Sequence, residues 1–106
     1  MENNKKIMGL LGLSARARKI SFGTDSTLKE MKRGKIKLLI VAEDASERTK
    51  DKFLKNAEKY AIPIIIYGNI KDISNAIGKT NKAIIGVEDV NIATEIERIN
   101  RGDVNG

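Results

Sequence analysis

Lys37-Leu38-Leu39-Ile40-Val41-Ala42-Glu43-Asp44 is the stretch on which the fold turns. From Leu38 to Ala42 the residues are apolar without a break, so neither side of an extended chain would present polar groups to water. The segment therefore reads as a β-strand buried on both faces, not as a surface strand with alternating polarity. Such a strand needs one layer above it and another below. Glu43 and Asp44 close it, and Asp44-x-x-Glu47 has the spacing of a capping box, which predicts a helix from there to Tyr60. Phe53, Ala57 and Tyr60 supply that helix with an apolar face at i, i+4, i+7.

The same grammar extends in both directions. Downstream, Pro63-Ile64-Ile65-Ile66-Tyr67 and Ala83-Ile84-Ile85-Gly86-Val87 read as two further buried strands. A short helix around Asp72–Ile77, stopped by Gly78, lies between them. Asp89 then caps a last helix with Ile92, Ile96 and Ile99 on one side. Upstream, Lys5–Arg18 is predicted helical, with Ile7, Leu10, Leu11 and Ala15 as its apolar stripe. Gly9 and Gly12 within it suggest close packing against a neighbour. Ile20-Ser21-Phe22 is a short extended piece. A second helix follows from Thr24 to Arg33, capped by Thr24 or Asp25 and ended by Gly34. Strands alternating with helices define an α/β protein, a three-layer α/β/α sandwich around a central mixed sheet of about four strands. Residues 1–100 are expected to form a single domain, with 101–106 as a frayed tail.

Composition narrows the chemistry. The 106 residues contain no cysteine and no histidine, which excludes disulfides and thiolate metal sites and removes the commonest general base. No cofactor is expected, and neither a phosphate-binding P-loop nor a dinucleotide glycine motif is present. The apolar runs Leu38–Ala42 and Ala61–Tyr67 are too short to span a bilayer, and the first residues lead into no signal-like apolar segment. A cytoplasmic monomer without membrane contact is the expectation.

Net charge is +6, with a pI near 9.7. Residues 1–37 hold ten Lys or Arg against Glu2, Asp25 and Glu30, whereas residues 38–106 hold ten against eleven acidic side chains. The basic excess thus lies wholly in the first third, as a polyanion partner would require. A solvated charged face would look similar from charge alone.

Two constellations could carry function. Gly23-Thr24-Asp25-Ser26-x-x-Lys29 places a glycine turn, short polar side chains and a lysine at a helix start, where unpaired amides and the positive dipole end favour anions. Lys32 and Arg33 continue the side of Lys29. The second is the basic turn Gly78-Lys79-Thr80-Asn81-Lys82, with Arg16, Arg18 and Lys19 as a supporting patch. The plainer reading of both is an ordinary capped helix and an ordinary surface loop. Glu43-Asp44, at the carboxyl end of the central strand, would be the pair for a small hydrolase, but adjacent strand residues face opposite ways, and a helix cap is the simpler role. A protein-interaction module that binds no polyanion is the other alternative.

The run Leu10-Leu11-Gly12-Leu13-Ser14-Ala15-Arg16-Ala17-Arg18-Lys19, with Ser21-Phe22-Gly23 and Lys29-Glu30 after it, resembles the bacterial YlxQ-type proteins of the ribosomal L-seven-Ae superfamily. Leu39-Ile40-Val41-Ala42-Glu43-Asp44-Ala45-Ser46, Ile62-Pro63 and Ala76-Ile77-Gly78-Lys79 add to the likeness, which spans residues 7–99. The resemblance implies a non-catalytic, RNA-binding α/β/α sandwich that recognises a kink-turn or a similar bend in structured RNA, ribosomal or otherwise non-coding. Association with the ribosome is a further expectation. It implies that the glycine-led helix start reads guanines beside the bend and that the loop before the last strand packs on neighbouring nucleotides. Gly23, Thr24 and Lys29 match the pattern. Asp25 stands where many relatives have Asn, and Ser26 where many have Glu or Gln. An ionised Asp only accepts hydrogen bonds, whereas Asn also donates.

Overall fold

The computed structural model describes residues 2–102. Its elements run α1 (Glu2–Arg16), β1 (Ile20–Phe22), α2 (Thr24–Lys32), β2 (Leu38–Val41), α3 (Glu47–Lys59), β3 (Ile64–Ile66), α4 (Ile70–Ala76), β4 (Ile84–Val87) and α5 (Val90–Asn100). The sheet order is β1-β4-β2-β3. β4 runs antiparallel to both β1 and β2, and β2 runs parallel to β3, so the sheet is mixed.

β2 and β4 are buried throughout, as their uninterrupted apolar character requires. Alternation along β2 sorts the core. Leu38, Ile40 and Ala42 pack with Ile7 and Leu11 of α1, Ile73 of α4, and Ala93, Ile96 and Ile99 of α5. Leu39 and Val41 pack on the other side with Met31 of α2 and Phe53 and Ala57 of α3. The result is a three-layer sandwich. Each fully buried Leu or Ile contributes about 1.5–3 kcal/mol relative to exposure.

Several local expectations change. β3 is an edge strand, with Ile66 40% exposed, and not a buried one. Pro63 beside it suits an edge, where a missing N–H costs no ladder bond. The cap of α3 is Ser46, whose hydroxyl accepts from the Thr49 amide at 3.1 Å; Asp44 does not cap this helix. The cap of α2 is Gly23, and neither Thr24 nor Asp25 fills that role. α1 begins at Glu2 and ends at Arg16, with Arg18 just beyond it in the left-handed region. Of its two glycines only Gly12 is close to a neighbour, since a Cβ there would stand 3.2 Å from the Ala76 carbonyl oxygen; the space around Gly9 is open. Asp89 caps α5 as expected. Arg101 is the C-cap of α5 and Gly102 lies in the turn after it, so these two belong to the helix end; residues 103–106 of the expected tail lie outside the described residues.

Candidate nucleic-acid interface

Three chain segments converge around the Phe22 end of β1. The first is the start of α2. Gly23 has φ 85 and ψ 168, a conformation essentially reserved for glycine, and no side chain caps the helix. Its own amide donates to the Ile84 carbonyl at 3.0 Å, which fastens the helix start to the first residue of β4. Helix geometry leaves the first amides after Gly23 without intrahelical partners. Thr24, Asp25, Ser26 and Lys29 are all exposed there.

The second segment is the turn from Gly78 to Lys82, which feeds directly into β4. It is pinned at both ends by α4. The Gly78 amide donates to the Asn75 carbonyl at 3.0 Å and the Lys79 amide to the Ser74 carbonyl at 2.9 Å, a Schellman closure with Gly78 at φ 74. The buried Ser74 hydroxyl accepts from the Lys82 amide at 2.7 Å and donates to the Lys82 carbonyl at 3.1 Å. Asn81 is left-handed at φ 55. The turn is therefore a fixed shape, with the Lys79, Thr80 and Asn81 side chains exposed and Lys82 half-buried.

Phe22, the residue before Gly23, joins these two segments. The ammonium of Lys79 lies 5.2 Å from its ring centre and that of Lys82 5.4 Å, both within cation–π range. The helix start and the basic turn thus occupy one side of the molecule. Neither Phe22 nor Ser74 was singled out as a site residue from the sequence; Phe22 appeared there only within Ser21-Phe22-Gly23, next to the turn glycine.

The third segment is the end of α1. The Lys19 amide donates to the Ser14 carbonyl at 2.8 Å and the Arg18 amide to the Ala15 carbonyl at 3.0 Å, again a Schellman closure. Here the left-handed position is held by Arg18, at φ 58, in place of glycine. Non-glycine residues pay about 1–2 kcal/mol for that conformation. Arg18 shares a hollow of about 320 Å3 with Phe22, Gly78 and Lys79. Arg16 and Lys19 flank it, exposed.

Two of the expected basic residues stand apart. Lys32 and Arg33 lie at the opposite end of α2, roughly 12 Å of helix from Thr24 at 1.5 Å per residue. Arg33 also pairs with Glu30 at 3.6 Å. On the other side of the turn, a cleft of about 490 Å3 opens between Asp44, Ile70, Lys71 and the residues Lys79–Asn81. Asp44 has a structural task there: its carboxylate accepts from the Ile70 amide at 2.8 Å, holding the first turn of α4 together with the Asn69 cap. Burial, and then the charge of Glu43, raise the Tyr67 phenol above its usual range, and its hydroxyl donates to Asn4. Among the described residues, no group of three or more acidic side chains is placed to hold a metal ion, and no helix is long and apolar enough to cross a membrane.

A sandwich with a mixed four-stranded sheet and a basic turn beside an open helix start defines a recognisable class. Residues 5–96 match the model of the Ribosomal protein L7Ae/L30e/S12e/Gadd45 family, and the chain belongs to that family. It is 33% identical over 100 residues to the RNA-binding protein YlxQ of Enterococcus faecium, a match covering 94% of this chain and 96% of that one. It is 32% identical over 87 residues to the RNA-binding protein YlxQ of Bacillus subtilis, covering 82% and 87%. Among solved structures, a protein of unknown function from Bacillus halodurans superposes with a TM-score of 0.85 at 35% identity, covering 89% of this chain and 95% of the other.

Proposed function

We propose that this chain is a non-catalytic RNA-binding module that docks a kink-turn or a similarly bent, structured RNA, ribosomal or another non-coding species, as a monomer in the cytoplasm. The RNA contacts the start of α2 through Gly23, Thr24, Asp25, Ser26 and Lys29, and the turn through Lys79, Thr80, Asn81 and Lys82. Arg16, Arg18 and Lys19 extend the positive field on the same side, with Lys32 and Arg33 contributing at longer range. The observation that carries this reading is the Gly23 amide bonded to the Ile84 carbonyl at 3.0 Å, because it seats the uncapped helix start next to the strand that the basic turn enters. Backbone amides and ammonium groups then suit phosphates, while the Thr24, Asp25 and Ser26 side chains suit base edges. The family membership and the names of the two YlxQ relatives support the same reading.

Left-handed Arg18 fits this picture. A residue held in a strained backbone conformation that glycine would adopt freely lines the hollow beside Phe22 and Lys79. The test is crosslinking in cells followed by sequencing of the bound RNA, then titration of the recovered element against the purified chain. Bent or internally looped elements should dominate, and Lys29→Ala should weaken their binding. Recovery of no RNA above background, or equal binding by the Lys29→Ala and Lys79→Ala variants, would sink the proposal.

A further inference from the structure

We infer that Phe22 is a positioning residue for the RNA face: its ring holds the ammonium groups of Lys79 and Lys82 together, as a paired cation site for successive phosphates of the bound strand. The inference rests on the RNA reading and names the element that sets the geometry of the basic turn.

Two free lysines have little reason to converge. Their ammonium groups repel, and each side chain loses much rotamer entropy when held in one place. Here both lie within 5.4 Å of one ring centre, which places two like charges against the negative face potential of a single quadrupole. The ring can act as a fixed anchor because its own position is settled by the sheet. Phe22 pairs with Ile85 across β1 and β4 and packs on the larger core cluster. The backbone of the turn is settled separately by Ser74, which binds both the amide and the carbonyl of Lys82. Backbone and side chains of the turn are thus held from two elements, α4 and β1. With both lysines over it, Phe22 serves as a holder of cations and not as a stacking platform for a base.

The test compares Phe22→Leu, which keeps an apolar side chain of similar size, with Phe22→Tyr, which keeps the ring. In the free protein, NMR should show the ε-methylene protons of Lys79 and Lys82 shifted upfield by the ring; Phe22→Leu should abolish the shift and Phe22→Tyr retain it. With a structured RNA that the unmodified chain binds, Phe22→Leu should weaken binding about fivefold to thirtyfold, because two lysine side chains that the ring no longer places in advance must be ordered on binding, and Phe22→Tyr should stay within about twofold. The slope of log K against log salt should become shallower by about 1 to 2 in Phe22→Leu, because up to two phosphate contacts are lost. Thermal unfolding of both variants separates these effects from misfolding. If Phe22→Leu removes the upfield shift but leaves affinity and salt slope unchanged, while Lys79→Ala and Lys82→Ala weaken binding, the lysines act without the ring and the inference is overturned with RNA binding intact. Unshifted protons in the free protein overturn it as well. If the two lysine variants bind RNA as well as the unmodified chain, the RNA reading of the turn fails instead.

Discussion

The starts of α2 and α3 sit in the same layer of the sandwich and meet the same requirement in opposite ways. Both helices expose unpaired amides at their first turn. At α3 the requirement is met internally, by the Ser46 hydroxyl accepting from the Thr49 amide and donating to the Thr49 hydroxyl at 2.9 Å. α4 and α5 follow that pattern with Asn69 and Asp89. At α2 the N-cap is Gly23, with nothing on its Cα to accept a bond, and the turn glycine is tied to the sheet through its own amide. A closed helix start is a stabilising feature; an open one beside cations leaves an anion-binding surface. The contrast teaches that a missing cap can be a property of the site when α3, α4 and α5 are each capped by a side chain.

This comparison is exposed to tests of decreasing size. If the α2 side engages about five phosphates, raising monovalent salt from 50 to 200 mM should weaken RNA binding by roughly 250-fold, from a slope near −4. A titration by fluorescence anisotropy measures it, and a flat response would remove the electrostatic distinction between the two helix starts. Gly23→Ala should destabilise the fold by about 1–3 kcal/mol in urea, purely through backbone strain, since a Cβ there meets nothing within 4 Å. RNA affinity should fall with it, as the α2 amides are re-aimed. Ser46→Ala should cost about 1 kcal/mol of stability and leave RNA affinity unchanged, because that start serves α3 alone. Loss of RNA binding in this variant would erase the contrast.

Arg18→Gly should show the opposite signs, with stability raised by about 1 kcal/mol and RNA affinity lowered severalfold. The smallest effect concerns pH. The Arg98 guanidinium bonded to Glu95 lowers that carboxyl below the usual glutamate range, and nearby Lys6 adds to the effect. The contribution of this pair to stability is therefore present above the unfolded-state value and lost as pH falls through the lower folded one. Because this i, i+3 pair lies at the surface, with the Glu95 side chain 43% exposed and screened by solvent, acid unfolding curves of Glu95→Gln and the unmodified chain should nearly coincide.

Much of the architecture was readable in advance, and particular residues show why. Leu38–Ala42 had to be buried on both faces, and the helical periods of Phe53/Ala57 and Ile92/Ile96/Ile99 supplied the covering layers. The misreadings fall where two local patterns compete or where sheet order matters. Asp44 and Ser46 are two residues apart and both are good caps, and what separates them is a bond from Asp44 to Ile70, distant in sequence. Ile64-Ile65-Ile66 is as apolar as β2, yet it ends up at the edge, because strand order is not written in a strand's own composition. At the candidate site, the glycine-led start and the basic turn could be named from residue type and family resemblance. Phe22 and Ser74 could not, since their partners lie on other elements.

Sequence alone determined the order of helices and strands, the alternation that splits the core in two, and the placement of the basic excess. These depend on short-range periodicity and charge, which a chain carries whether or not it is folded. Only the tertiary structure decided that Gly23 bonds to Ile84 and that Lys79 and Lys82 meet over Phe22. Those facts follow from β1 pairing with β4 across more than sixty intervening residues, a choice made by packing the whole sheet at once.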